Sequence, residues 1–249
     1  MRGVLFLKSG IKRFLRLFRL QFCRVHGPVV EGDIPIRGSF PPYRELHTVG
    51  SQKNYFIHDG YQHREEYSYY NDTAETDGWQ NEVYQYAKEI ADQFGLQTVA
   101  DVGCGSAHKL LKYLGDRTTI GLDVEETWKV LQSRFPDRRW MVSDLKGEAP
   151  EADMVIAADV IEHVLCPDQM LEFILRMNPK YVVISTPDRN LIRKGSHNGP
   201  PSNVAHIREW SMAELHAYVS GYLDIVEHFH SNAAQCTQCI LARPRTERA

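Results

Sequence analysis

Val99-Ala100-Asp101-Val102-Gly103-Cys104-Gly105 reads as a short apolar strand running straight into a glycine turn. Helical spacing over residues 107–114 follows, so strand, turn and helix succeed one another without a break. Glycines at 103 and 105 let the chain turn sharply and bring the backbone close to a ligand. In α/β sheets ligands bind at such carboxyl ends of strands. Taken alone, Gly-x-Gly admits several nucleotide-type ligands. The dinucleotide fingerprint asks for a third glycine where Ala107 and His108 stand, and has no place for an acid two residues before its first glycine. A pyrophosphate site is therefore the lesser reading.

Working outward, the apolar runs 98–102, 118–122, 140–142, 154–158, 181–185 and 223–229 predict strands. Between them, residues 107–114, 125–135, 167–177 and 212–222 predict helices. Ahead of the first strand, Val83, Tyr84, Ala87, Ile90, Ala91 and Phe94 trace one helical face that Gly95 stops. Ser211 with Glu214 three residues on is a capping box for the last helix. Strands apolar on both faces, alternating with helices, predict a parallel sheet covered on both sides. The runs 223–230 and 237–243 follow each other with no helix between, so this last pair is expected to be antiparallel.

Two further acids narrow the ligand. Asp123 closes the second strand in Ile120-Gly121-Leu122-Asp123, where a carboxylate can accept from both hydroxyls of a ribose. Asp144 closes the third in Val142-Ser143-Asp144-Leu145. Any one of them could be a helix N-cap. Three acidic strand ends in succession, Asp101, Asp123 and Asp144, instead suggest one ligand-facing edge.

With these residues the chain resembles the class I S-adenosylmethionine-dependent methyltransferases over about residues 79–243. The resemblance implies a Rossmann-like seven-stranded sheet of order 3-2-1-4-5-7-6 with strand 7 antiparallel and helices on both faces, and S-adenosylmethionine as cofactor. It implies that the turn from Asp101 through Gly103, Cys104 and Gly105 holds the methionine part. Asp123 would bind ribose with Val124 beside it, Asp144 with Leu145 would lie by the adenine amino group, and Asp159 would complete the edge. Asp159-Val160-Ile161-Glu162-His163-Val164 and Val183-Ile184-Ser185-Thr186-Pro187 look like the branch of ubiquinone-type O-methyltransferases and enzymes encoded with polysaccharide genes. Ser106-Ala107-His108 departs from the usual small residue after the glycine pair. Amine-directed DNA methyltransferases carry an Asp/Asn-Pro-Pro-aromatic tetrad after strand four. Asp159-Val160-Ile161-Glu162 stands there instead, which argues against a nucleobase amine.

Methyl transfer to a hydroxyl needs the acceptor held in line and its proton removed, and histidine suits the second task near neutral pH. His163, just after strand four, is the first candidate; an imidazole anchoring the loop is the competing role. His206 is the second, in the loop 199–210 at the same sheet edge, where Arg208, Glu209 and Glu162 are candidate substrate contacts. Arg208 could pair with a phosphate or carboxylate of the acceptor, or with an acid of the protein itself. Seven of the twelve tyrosines fall within residues 55–86 (Tyr55, Tyr61, Tyr67, Tyr69, Tyr70, Tyr84 and Tyr86), an aromatic cover for either the sheet or a ligand. With Arg64 and Gln80, this arm could close over a sulfonium, which aromatic faces attract. Glu162 beside His163 could offer metal ligands, but two adjacent residues do not define a site, so no metal is expected.

Of the 249 residues, 43% are hydrophobic and 24% charged, enough for one full core with appendages. The expected organisation is a basic amphipathic N-terminal helix over 1–26, a linker and aromatic arm over 27–78, and the methyltransferase domain over 79–249. With net charge −3, the seven cations and no acid of residues 1–24 leave the remainder at −10, which disfavours nucleic acid as a partner. Ile11, Phe14, Leu15, Phe18 and Phe22 with interspersed Lys and Arg suit a membrane surface, or a face of this or another protein. Five cysteines, one in the glycine turn, speak against a secreted disulfide framework and for a reducing compartment. The expectation is a cytoplasmic enzyme, peripheral at the inner face of a membrane if that helix binds lipid. It would methylate an oxygen of a small-molecule or glycan acceptor. The alternatives are a cofactor-binding but inactive partner subunit, and a nicotinamide-dependent oxidoreductase on the same fold.

Overall fold

The structure, a computed structural model, describes residues 55–193 and 197–245. The N-terminal helix and the Pro/Gly-rich stretch expected before residue 46 lie outside the described residues. Helix α1 (Asn81–Phe94) leads into β1 (Thr98–Val102), α2 (His108–Leu114), β2 (Thr118–Asp123), α3 (Glu125–Arg134), β3 (Arg139–Val142) and β4 (Met154–Ala158). A 3-10 turn (Ile161–His163), α4 (Pro167–Arg176), β5 (Tyr181–Pro187), α5 (Arg189–Arg193), α6 (Met212–Val219), β6 (Leu223–Asn232) and β7 (Thr237–Pro244) complete it.

The seven strands form one sheet of order β3-β2-β1-β4-β5-β7-β6. The pairs among β1 to β5 are parallel, while β7 runs antiparallel to both β5 and β6. Successive strand residues face opposite sides. Accordingly Ala100, Val102, Leu122, Val155, Ala157 and Ile184 pack with α4 and α6 on one face. Val99, Met154, Ile156 and Val183 pack with α1 and α2 on the other. All five residues of β4 are buried. Such burial on both faces is why the strands read as continuous apolar runs.

Helix α1 buries Val83, Tyr84, Ala87, Ile90 and Ala91. It ends at Gly95, whose left-handed backbone (φ +64°) lets its N–H bond Ala91 O. The capping box of α6 is present in full. Residues 55–57 join the core: Tyr55 and Ile57 are buried with Trp210 and Tyr218. Strand β6 runs on to Asn232, beyond the expected 229, through two irregularities in its pairing with β7. Helix α5 lay below the reach of periodicity because its five residues hold only Leu191 and Ile192 as apolar side chains. Asp188 starts it, accepting from Asn190 N at 2.9 Å.

Candidate cofactor and catalytic site

The carboxyl ends of β1 to β4 open into a cleft of about 320 Å³ floored by Val102, Gly103 and Leu122. Parallel pairing sets these ends side by side, so the residues closing the strands converge. Asp123, Val124, Asp144, Leu145, Asp159 and His163 all line the cleft. Gly103 (φ +71°) and Gly105 (φ +51°) take backbone conformations that side chains rarely adopt. A Cβ on Gly103 would meet Val160 Cγ2 at 2.6 Å, and one on Gly105 would run into the Asp72 carboxylate. Four non-glycine residues around this edge also have positive φ: Gln80, Ala107, Leu145 and Asp159. Backbone strain of this kind collects at functional sites.

The turn spends its amide hydrogens inside the protein. Gly103 N and Cys104 N donate to Leu122 O at 2.8 and 3.2 Å, and Ala107 N donates to Cys104 O at 2.8 Å. Gly105 N donates to Asp123 Oδ2 at 2.8 Å, while Asp123 Oδ1 accepts from Val124 N at the same distance. An anion-binding turn keeps such donors free for phosphate. Here side-chain carboxyl groups surround the turn instead. Asp101 is fully buried; its Oδ2 accepts from Tyr84 OH at 2.9 Å and its Oδ1 has no partner among the described residues. Burial, with Asp123 and Asp72 nearby, pushes it up to about 8 against the pull of the Tyr84 hydrogen bond. Burial and then Asp123 raise Asp72 to about 6, and burial raises Asp123 itself.

Asp144 Oδ1 accepts from the N–H groups of Lys146 and Gly147 at 2.9 and 3.1 Å, which hold its carboxyl below the usual range. Asp159 Oδ1 accepts from Ser185 Oγ at 2.6 Å. Gln80 is not among the residues that line the cleft; its Nε2 donates to Ala158 O at 3.2 Å. Cys104 is buried in the core next to Gly121 and Trp140, and contributes packing to the turn. Arg64 stands apart from the cleft and bonds the substrate-side loop, Nη2 to Pro201 O at 2.6 Å.

Across the cleft, His163 is fixed in one tautomer. Nδ1 lies 2.9 Å from Ala205 O, which can only accept, so Nδ1 carries the proton and Nε2 is the nitrogen left to accept one. Burial, then His206, lowers His163 to about 4, so the ring is neutral at physiological pH. Tyr70 stacks on it at 5.7 Å between centroids. His206 meets His163 edge-on at 4.8 Å but lies behind it. Its Nδ1 bonds Glu209 Oε1 at 2.8 Å and its Nε2 lies 2.9 Å from Asn203 Nδ2.

Arg208 donates to Val164 O and Leu165 O at 2.8 and 2.9 Å, with its guanidinium over the Tyr55 ring at 4.6 Å. It ties the His206 loop to the segment after His163 through these carbonyls, and not through an acid of the protein. Glu209 and Glu162 are both buried within the walls. Glu162 Oε2 accepts from Thr186 Oγ1 at 2.9 Å while Oε1 has no partner among the described residues, and burial drives its carboxyl far above the usual range. Ligand atoms of Glu162, His163 and His206 lie within 4.8 Å of one another, so the three together could hold a cation. Sequence showed only the adjacent pair, because His206 arrives from the far loop. Asp72, Tyr67, Tyr69 and Tyr70 line the cleft from the aromatic arm. The tyrosine density marked that arm, but nothing in the sequence singled out Asp72.

No protein-family model matches the chain, and no curated protein matches its sequence. Among solved structures, it is similar to magnesium protoporphyrin IX methyltransferase from Synechocystis PCC 6803 with bound S-adenosylhomocysteine. The TM-score is 0.53 at 14% identity, over 67% of this chain and 84% of that one. It is similar to 1,6-didemethyltoxoflavin-N1-methyltransferase from Burkholderia thailandensis, also with S-adenosylhomocysteine (TM-score 0.51, 21% identity, 68% and 82% covered). The methyltransferase domain of the bacterial Hen1 protein CtHen1-C gives TM-score 0.52 at 16% identity over 67% and 99%. These neighbours act on different substrates, so what the chain shares with them is a fold: the Rossmann-like sheet of methyltransferases.

Proposed function

We propose that the chain is an S-adenosylmethionine-dependent methyltransferase acting on an oxygen of a sugar, a glycan precursor or a small metabolite. The observation that carries this reading is the glycine turn with its amides spent and carboxylates around it. Such a turn suits a ligand with positive charge and hydroxyls better than one with a pyrophosphate.

S-adenosylmethionine supplies an activated methyl group on a positively charged sulfur. Asp123 accepts from ribose hydroxyls, and the turn from Asp101 to Gly105 cradles the amino-acid end. Asp144 and Leu145 border the adenine. Tyr67, Tyr69 and Tyr70 exclude water from the mouth and offer aromatic faces to the cation. Val124 and Asp159 complete the walls. His163 Nε2 takes the acceptor's proton as its oxygen attacks, and the carbonyl of Ala205 keeps the ring in the tautomer that can do so. Glu209 holds His206, and His206 holds His163 in place from behind. Residues 1–24 would carry the enzyme to an anionic membrane surface, a role checked by deleting them and sedimenting the protein with vesicles.

The test is methyl transfer from labelled donor to a cell extract, followed by identification of the labelled product. His163→Asn should abolish most of the transfer while leaving S-adenosylhomocysteine affinity unchanged; unchanged transfer would remove His163 as the base. A second reading follows from the orphaned Glu162 Oε1 beside the two histidines. There, Glu162, His163 and His206 would hold a divalent cation, whose charge would acidify a bound acceptor hydroxyl so that its proton is lost to solvent. Loss of transfer on chelation, restored by added metal, would favour it over the bare histidine.

A further inference from the structure

Residues 67–77 cross the cleft mouth as a strap. Tyr69 OH lies 3.0 Å from Thr127 Oγ1, Arg134 donates to Thr73 O at 2.8 Å, and Lys109 Nζ donates to Thr76 O at 3.2 Å. Between these ties the Asp72 carboxylate lies over Gly105, in the space that a side chain on that residue would claim. Asp72 is thereby the third carboxylate on one turn, after Asp101 and Asp123. Lys109 is a cation that acts on both Asp72 and Asp101, and its ammonium also donates to Thr76 O. One oxygen of the buried Asp101 has no partner among the described residues. Crowded carboxylates with so little compensation are costly unless a cation joins them.

We propose that Asp72 is a cofactor-binding residue that accepts a charge-assisted hydrogen bond from the α-ammonium group of the methyl donor. The strap thus recognises the amino-acid end of the cofactor from above, while the turn cradles it from below. This rests on the methyl-donor reading of the cleft. It assigns to the aromatic arm a contact that belongs to this chain's own strap and not to its sheet. The turn's amides cannot serve that ammonium, since they donate and are spent. A carboxylate placed over the turn can.

Calorimetric titration separates the proposal from the reading beneath it. S-adenosylhomocysteine and methylthioadenosine share adenine, ribose and a thioether, and only the first carries the ammonium-bearing end. Asp72→Asn keeps the side-chain shape and removes the charge. It is expected to weaken S-adenosylhomocysteine about 10- to 100-fold, the range of one hydrogen bond to a charged group, to leave methylthioadenosine unchanged and not to lower the melting temperature. Unchanged S-adenosylhomocysteine affinity, or an equal loss for both ligands, overturns the role given to Asp72. If the native chain binds neither ligand, the methyl-donor reading itself falls, and the proposal with it.

Discussion

Ala107 shows how one side chain and its backbone can disagree. It caps α2 with φ +56°, a left-handed conformation that costs a residue bearing a Cβ about 1–2 kcal/mol. Glycine carries no such penalty, though it loses more chain entropy on folding. Ala107→Gly should therefore raise stability by roughly 0.5–1 kcal/mol, read as a shifted denaturant midpoint at constant slope. A lower midpoint would mean that the buried Ala107 methyl contributes more packing than the turn loses in strain.

His163 makes the second residue-scale test. An ordinary histidine is half protonated near pH 6.5, and the buried His163 only near 4. Its basic form therefore persists below pH 6, and with the methyl donor saturating, kcat/KM for the acceptor should stay flat as pH falls from about 7 to 5.5. The acid loss belongs to the region near 4. A limb centred at 6.5 would mean that the ring is solvated in the working enzyme or that another group is the base.

Among the elements, α6 joins the core to the candidate site. Ser211 caps it, and Glu214 accepts from Ser211 N at 2.8 Å and from Arg189 Nη2 at 2.6 Å. Glu214 also accepts from His58 N at 3.0 Å, so one carboxylate fastens the arm, α5 and α6. Ser211→Ala should cost about 0.5–2 kcal/mol as a lost cap. Glu214→Ala should cost more, about 3–5 kcal/mol, because it leaves the buried Arg189 guanidinium without its carboxylate. Equal costs in chemical denaturation would show that the Arg189 pair is not part of what holds these elements. The capping box was legible from spacing alone. The Arg189 pair was not, because its partners come from separate segments.

Across the whole molecule, what could be read from sequence is what repeats locally. Each strand is apolar on both faces and each helix carries its own stripe, so the parallel sheet and its antiparallel end follow from patterns a few residues long. Asp123 and Asp144 could be picked out because parallel pairing sets successive strand ends on one edge. The strap could not be placed, since Tyr69-Tyr70-Asn71-Asp72 has no period and is positioned by ties to α2 and α3. His206 was visible as a residue, but its place behind His163 depends on the fold of a long loop. Arg208, an outward-facing candidate by type, is spent on carbonyls and an aromatic ring.

The central claim is that the cleft at these strand ends holds S-adenosylmethionine. A calorimetric titration of the intact chain with S-adenosylmethionine, repeated with S-adenosylhomocysteine and with NAD as competitors, tests it most directly. One site per chain is expected, closed by S-adenosylhomocysteine and indifferent to NAD, with Asp123→Ala weakening it by about 1–3 kcal/mol. Binding displaced by NAD, or an Asp123→Ala variant that binds as tightly as the native chain, would contradict the account.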